Sequence, residues 1–161
     1  MGVDTDSEPQ RSRVSYDQQM EVSDVRRRLR SAIEDAKRRA AERRLRTDEA
    51  SRAWEAALTD IVVPTLHTVA QALAGEGHRF KVETPAGAAR LSLERSAEEF
   101  VELGLDTDAD EPALFIRSTR GRGRRIVTSE RVVREGAAVA QLSQEDVVTL
   151  LLEELVPFIE R

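Results

Sequence analysis

The sequence predicts an α+β fold with an N-terminal charged helical arm, a core helix, a five-stranded antiparallel meander and a C-terminal core helix. Three observations carry that prediction. Apolar residues recur at three- and four-residue spacing from Val22 to Leu73, alternate with polar ones between Phe80 and Val133, and return to helical spacing from Val147 onward.

Residues 1–20 hold Asp, Ser, Pro, Gln and Arg with hardly an apolar anchor, the composition of a disordered leader. The arm, residues 21–46, follows. Val22, Val25, Leu29, Ile33, Ala36 and Ala40 line one helical face, with Ser23 placed to cap and Asp24 in the first turn. This stripe is thin and turns to alanine after Ile33, which suits close helix packing or a coiled-coil seam better than a deep core. Ten basic and seven acidic residues between positions 21 and 50 surround it, so the arm is a polyampholyte with a modest positive excess. Bases spread over all its faces favour a solvated helix or coiled-coil flank over a single nucleic-acid-binding stripe.

The globular part is expected over residues 47–161. Thr47-Asp48-Glu49 offers a new cap and acidic first turn, after which Trp54, Leu58, Ile61, Val62, Leu66, Val69, Ala70 and Leu73 make a broad apolar stripe. Pro64 falls inside that helix. It has no N–H to donate and its ring crowds the preceding turn, so a kink or restart is expected near Val62. Gly75-Glu76-Gly77 ends the helix, one glycine supplying a left-handed cap.

Strand periodicity then takes over. Phe80 and Val82 alternate with charged residues, Pro-Ala-Gly makes a turn, and Leu91 and Leu93 alternate on the way back. Val101, Leu103 and Leu105 mark a third strand, Leu114 and Ile116 a fourth, and RIVTSERVV a fifth, with Ala138-Val139-Ala140 as its continuation or a short sixth. Short connections favour antiparallel pairing of neighbours. Ser143-Gln-Glu-Asp146 approximates a capping box for a last helix carrying Val147, Leu150, Leu151, Leu155, Phe158 and Ile159 inward. Both core helices are expected on one face of the sheet.

Composition narrows the function. Cysteine is absent, which excludes disulfides, thiolate zinc sites and a cysteine nucleophile. The N-terminal segment has no apolar signal region and no eighteen consecutive residues are apolar, so a soluble, cytoplasmic protein with no membrane partner is expected. One Trp, one Tyr and four Phe leave few stacking platforms for single-stranded nucleic acid. The net charge of −5 opposes indiscriminate polyanion binding.

No catalytic or cofactor signature occurs. The two histidines, His67 and His78, have no partners in number for a metal site and read as a helix-flank residue and a turn or cap residue. Asp106, Asp108 and Asp110 open like a calcium loop, but Glu111 stands where the glycine belongs and Arg117 where the bidentate acid belongs. An acidic hairpin turn is the expectation there. Glu98 and Glu99 read as solubilising charge, and Leu91, Leu93, Leu103 and Ile116 as a filled core rather than a pocket. Neither a metal, a cofactor nor an enzymatic activity is expected.

One stretch stands out, STRGRGRRI, in which Arg120, Arg122, Arg124 and Arg125 are set among two glycines. Three readings apply: a flexible Gly/Arg hairpin tip next to an acidic one, a clamp on phosphate whose glycines admit backbone N–H groups, or a dock for an acidic protein patch such as the DTDADE loop of another copy. Residues 94–111 carry eight acids against Arg95, and residues 111–134 seven arginines against Glu111 and Glu130, so an acidic edge is expected beside a basic one. Together these features point to a non-enzymatic assembly or adaptor protein, a homo-oligomer binding a protein partner through its charged arm and sheet. The alternative is a nucleic-acid-associated protein using the arm and the Arg120–Arg125 loop.

Overall fold

The computed structural model describes Gly2 and residues 20–160, so the leader lies almost wholly outside the described residues. The chain divides into two compact units, one ending at Arg39 and the other beginning at Ala40. Helix α1, Val22–Ala57, supplies the described helix of the first unit and the opening helix of the second. The expected new cap at Thr47 is not used: the helical backbone runs through Thr47-Asp48-Glu49 without a break. Those residues are polar but helix-compatible, and no glycine or proline stands there to end the preceding turns.

In the second unit, a five-residue π-helical turn, Leu58–Val62, joins α1 to α2, Val63–Gly75. Val63 N–H reaches back to Leu58 O. The widened turn sits just ahead of Pro64, so the expected disturbance near Val62 takes the form of a π-bulge instead of a sharp break. Thr65, itself buried, donates its hydroxyl to Ile61 O at 2.6 Å and Thr68 donates to Pro64 O at 3.1 Å. α2 ends in a Schellman cap: His78 N–H bonds to Leu73 O, Gly77 N–H to Ala74 O, and Gly77 takes φ +87°.

The sheet has strands β1 (Phe80–Glu83), β2 (Ala88–Leu93), β3 (Ser96–Asp106), β4 (Ala113–Arg122) and β5 (Arg125–Glu135), in spatial order β1-β2-β3-β4-β5. Every neighbouring pair is antiparallel, the predicted meander. Register places Phe80 against Leu93, Leu91 against Val101 and Leu103 against Ile116, which gathers the alternate apolar residues on one face.

Helices α2 and α3 (Gln144–Ile159) cover that face. Trp54, Val62, Leu66, Val147, Leu151 and Leu155 pack with the strand residues into one core. Trp54 also donates its indole N–H to Gly87 O at 2.7 Å, tying the helix to the β1–β2 turn. Leu91, Leu103 and Ile116 are fully buried in this core, as the filled-core reading requires.

Two local expectations change. Ala138-Val139-Ala140 belongs to a 3₁₀ helix, Gly136–Gln141, not to a strand, because Gly136 at φ +54° turns the chain off the end of β5. Ile159 is 42% exposed instead of facing the core. The capping box does form, with Ser143 Oγ accepting Asp146 N–H at 3.2 Å and Asp146 Oδ2 accepting Ser143 N–H at 2.9 Å. By length and composition the helix Val22–Gly75 holds one window apolar enough to cross a membrane. Val62 and Leu66 of this helix are buried against the sheet, and 22% of the window as a whole is buried.

Candidate functional site

Strands β4 and β5 are closed by the two-residue turn Gly123-Arg124, with Arg122 and Arg125 as the last pair. Gly123 adopts φ +62°, the left-handed conformation a tight hairpin of this kind needs at its first central position. Glycine is used there because a Cβ would strain the backbone, so Gly123, one of the two glycines in this arginine-rich run, is explained by the turn itself.

Arg122, Arg124 and Arg125 are exposed and Arg120 is half-buried. Among the described residues, none of the ion pairs uses any of the four guanidinium groups. Arg120 and Arg122 line an open groove with Glu98, Glu99 and Glu160. Gly121 N–H donates to Glu99 Oε1 at 2.6 Å, so Glu99 holds the hairpin stem and is more than solubilising charge. The groove is of mixed sign. Its carboxylates oppose an anion entering beside Arg120 and Arg122, whereas Arg124 and Arg125 lie outside its walls.

The acidic DTDADE loop lies at the other end of β4 from the arginine hairpin, which corrects the expectation of neighbouring acidic and basic tips. Consecutive turns of a meander fall at opposite ends of the strand they share, and β4 is ten residues long. The acidic loop instead shares a groove with Arg43, Arg44 and Asp48 of α1, and Arg46 Nε lies 3.1 Å from Glu111 Oε1. Asp106 Oδ1 accepts Asp108 N–H at 2.9 Å, the Asx arrangement of an ordinary turn. No three acidic or histidine residues converge as metal ligands among the described residues.

The acidic and basic strands do pair across the sheet, on the face away from the helices. Glu102 is buried there at 5% exposure, with Arg90 Nη2 at 2.6 Å and Arg117 Nη1 at 3.4 Å, and Arg117 Nε reaches Glu130 at 2.7 Å. The guanidinium of Arg90 lies 3.9 Å from the centre of the Phe100 ring, and that of Arg117 4.9 Å from Phe115. Phe115 in turn covers Gly104, whose absent Cβ leaves room for the ring. These side chains satisfy one another, so the face is a rigid charged ladder. Sequence alone identified the opposite charges of β3 and β4 but not this arrangement, because it depends on register.

In the first unit, Val22, Val25, Leu29 and Ile33 are between 39% and 68% exposed, and Ala36 is exposed as well. Arg27 and Arg38 make ion pairs with Asp24 and Asp35 at 2.6 and 2.8 Å along the same helix. Ala40, at the start of the second unit, is half-buried.

A further surface escaped the sequence reading. α3 buries Val147, Leu150, Leu151, Leu155 and Phe158, yet also exposes Leu152, Val156 and Ile159 on its outer side. Its signal was the excess of apolar residues over what one stripe requires. His67 is exposed on α2, and His78 is half-buried and caps that helix through its backbone. No family model, curated protein or solved structure matches the chain.

Proposed function

We propose that the protein is a non-enzymatic assembly or adaptor protein that self-associates and captures a protein partner through its charged helical arm and its sheet. The observation that carries this reading is the arm's apolar stripe, Val22, Val25, Leu29 and Ile33, open to solvent on a helix otherwise covered in charge. Aliphatic side chains at this spacing gain little by facing water, and a second helix laid along them removes that surface from solvent. The eleven-residue edge strand β5, exposed along most of its length, offers a second place for a partner to join.

The test is sedimentation of the full chain across a concentration series, beside Leu29→Asp. Association of the wild type that is weakened in the variant supports the reading. A wild type that stays monomeric through the high-micromolar range overturns it.

A second reading is favoured by the arginine hairpin. Four guanidinium groups that make no ion pair among the described residues, on a glycine-turned tip, match phosphate chemistry, and a nucleic-acid partner is the alternative. Fluorescence anisotropy of labelled duplex and single strands separates the two. Salt-sensitive binding lost in Arg122→Glu/Arg124→Glu supports a clamp; no binding at low salt leaves the hairpin as a tip or a protein dock.

A further inference from the structure

We infer that the arm of one copy docks, antiparallel, on the outer ridge of α3 of a second copy. This rests on the self-association reading above and names the surface that the arm seeks. α3 is apolar on two sides: one is in the core, and the other exposes Leu152, Val156 and Ile159, with half-buried Val148 continuing the row. Such a row of exposed aliphatic side chains is a surface that a partner helix would remove from water.

Three features identify the cover as the arm. The first is spacing. The arm stripe Val22, Val25, Leu29, Ile33 steps by three, four and four residues, whereas the ridge Val148, Leu152, Val156, Ile159 steps by four, four and three. Laid antiparallel, the two rows match at every step: Ile33 beside Val148, Leu29 beside Leu152, Val25 beside Val156, and Val22 beside Ile159. Each row is about 16 Å long at 1.5 Å per residue.

Charge is the second. Residues 144–160 carry five acids and no base, while residues 22–40 carry seven bases against three acids. The same alignment sets Arg28 level with Glu153, which is exposed beyond its contact with Arg131. It also brings Asp35 level with Asp146 and Glu21 level with Glu160. Arg38 and Arg134 already compensate the first of these pairs, so Glu21–Glu160 is the like-charge contact that the interface must tolerate.

The third is the alternative. Arm against arm brings two positively charged flanks together, a contact that salt would strengthen, whereas arm against α3 joins opposite charges and salt weakens it. Antiparallel helices also oppose their dipoles. Reciprocal exchange between two copies makes the contact twice and closes the pair.

Complementation tests this in the full-length protein. Leu29→Asp disables the arm and leaves α3 intact; Leu152→Asp does the reverse. Both positions are more than half exposed, so the variants are expected to keep the wild-type circular dichroism and melting temperature; Leu29→Gln and Leu152→Gln serve as milder checks. Sedimentation velocity is expected to show each variant alone with its dissociation constant raised about tenfold or more. The mixture of the two is expected to re-associate through its one intact arm and one intact ridge. Added salt should weaken association of the wild type.

Wild-type association in Leu152→Asp overturns the α3 dock and leaves self-association through the arm standing. Two monomeric variants that fail to complement overturn it too. A wild type that does not associate removes both this inference and the reading beneath it.

Discussion

The arm of α1 and the C-terminal helix α3 begin from the same sequence signal and end differently. Both space apolar residues by three and four. In α3 that spacing delivers Val147, Leu151 and Leu155 into the core at no more than 1% exposure, while in the arm Val25, the least exposed of its five large apolar residues, still shows 39% of its surface. Periodicity specifies a helix and the face it will bury, but not what buries it. For α3 the cover is supplied by β3 and β4. Within the arm's own unit no sheet exists among the described residues, and the stripe stays open.

The largest effect that could break this contrast lies where α3 enters the core. Leu151→Ala, at a site with no exposed surface, is expected to cost about 3 kcal/mol in chemical denaturation. Leu29→Ala, measured in dilute protein, should stay within about 0.5 kcal/mol of wild type. An arm variant as damaging as the α3 variant would mean that the arm is part of the folding core.

Burial outside the helices should also outrank the arm. Glu102→Ala leaves Arg90 and Arg117 without their shared carboxylate on the open face of the sheet, an expected loss of about 2 kcal/mol by urea unfolding. Its ladder was half legible. Opposite charges on β3 and β4 are plain in the sequence, yet whether Glu102 meets Arg117 or the next residue along is fixed by register, and a slip of one would turn it to the other face.

Helix ends give a smaller handle. Ser143→Ala removes the side-chain cap of α3 and should lower stability by about 1 kcal/mol, read by thermal melting. The cap was legible because its four-residue motif is local. The missing break at Thr47 was not, since Thr47-Asp48-Glu49 is equally acceptable as a cap and as helix interior, and only the surrounding chain decides. The π-turn before Pro64 shows the same limit: proline announces a disturbance, and the packing of Val62 and Thr65 selects its form.

The least effect is in pH. The backbone N–H of Ser143, then its hydroxyl, with Arg134 adding to them, hold the Asp146 carboxyl below the usual carboxylate range. A lowered folded value stabilises above the unfolded pKa of about 3.9, and that contribution is lost as pH falls through the folded value. Asp146→Asn should therefore be less stable than wild type near neutrality, with the gap closing in acid. A gap independent of pH would mean that the cap works by geometry alone.

What the sequence could not convey about the candidate surfaces is mainly absence of cover. Arg120, Arg122, Arg124 and Arg125 were visible as a basic run, but their separation from the acidic loop by the length of β4 follows from meander geometry. Of the outer ridge of α3 only Ile159 was expected inward; Leu152 and Val156 lie off the core stripe, and their exposure together with Ile159 follows from a sheet that covers one side alone. Leu151 and Leu152 are adjacent leucines, one fully buried and one 58% exposed, because successive helix positions point about 100° apart and the sheet lies on one side.

The most direct test of the central claim is hydrogen exchange of backbone amides at several protein concentrations. Amides of β3 and β4 should exchange slowly at every concentration, since they are protected by the fold of one chain. Amides from Val25 to Ala40 should exchange rapidly in dilute protein and become protected as concentration rises. Arm exchange that is the same at all concentrations would contradict self-association through the arm.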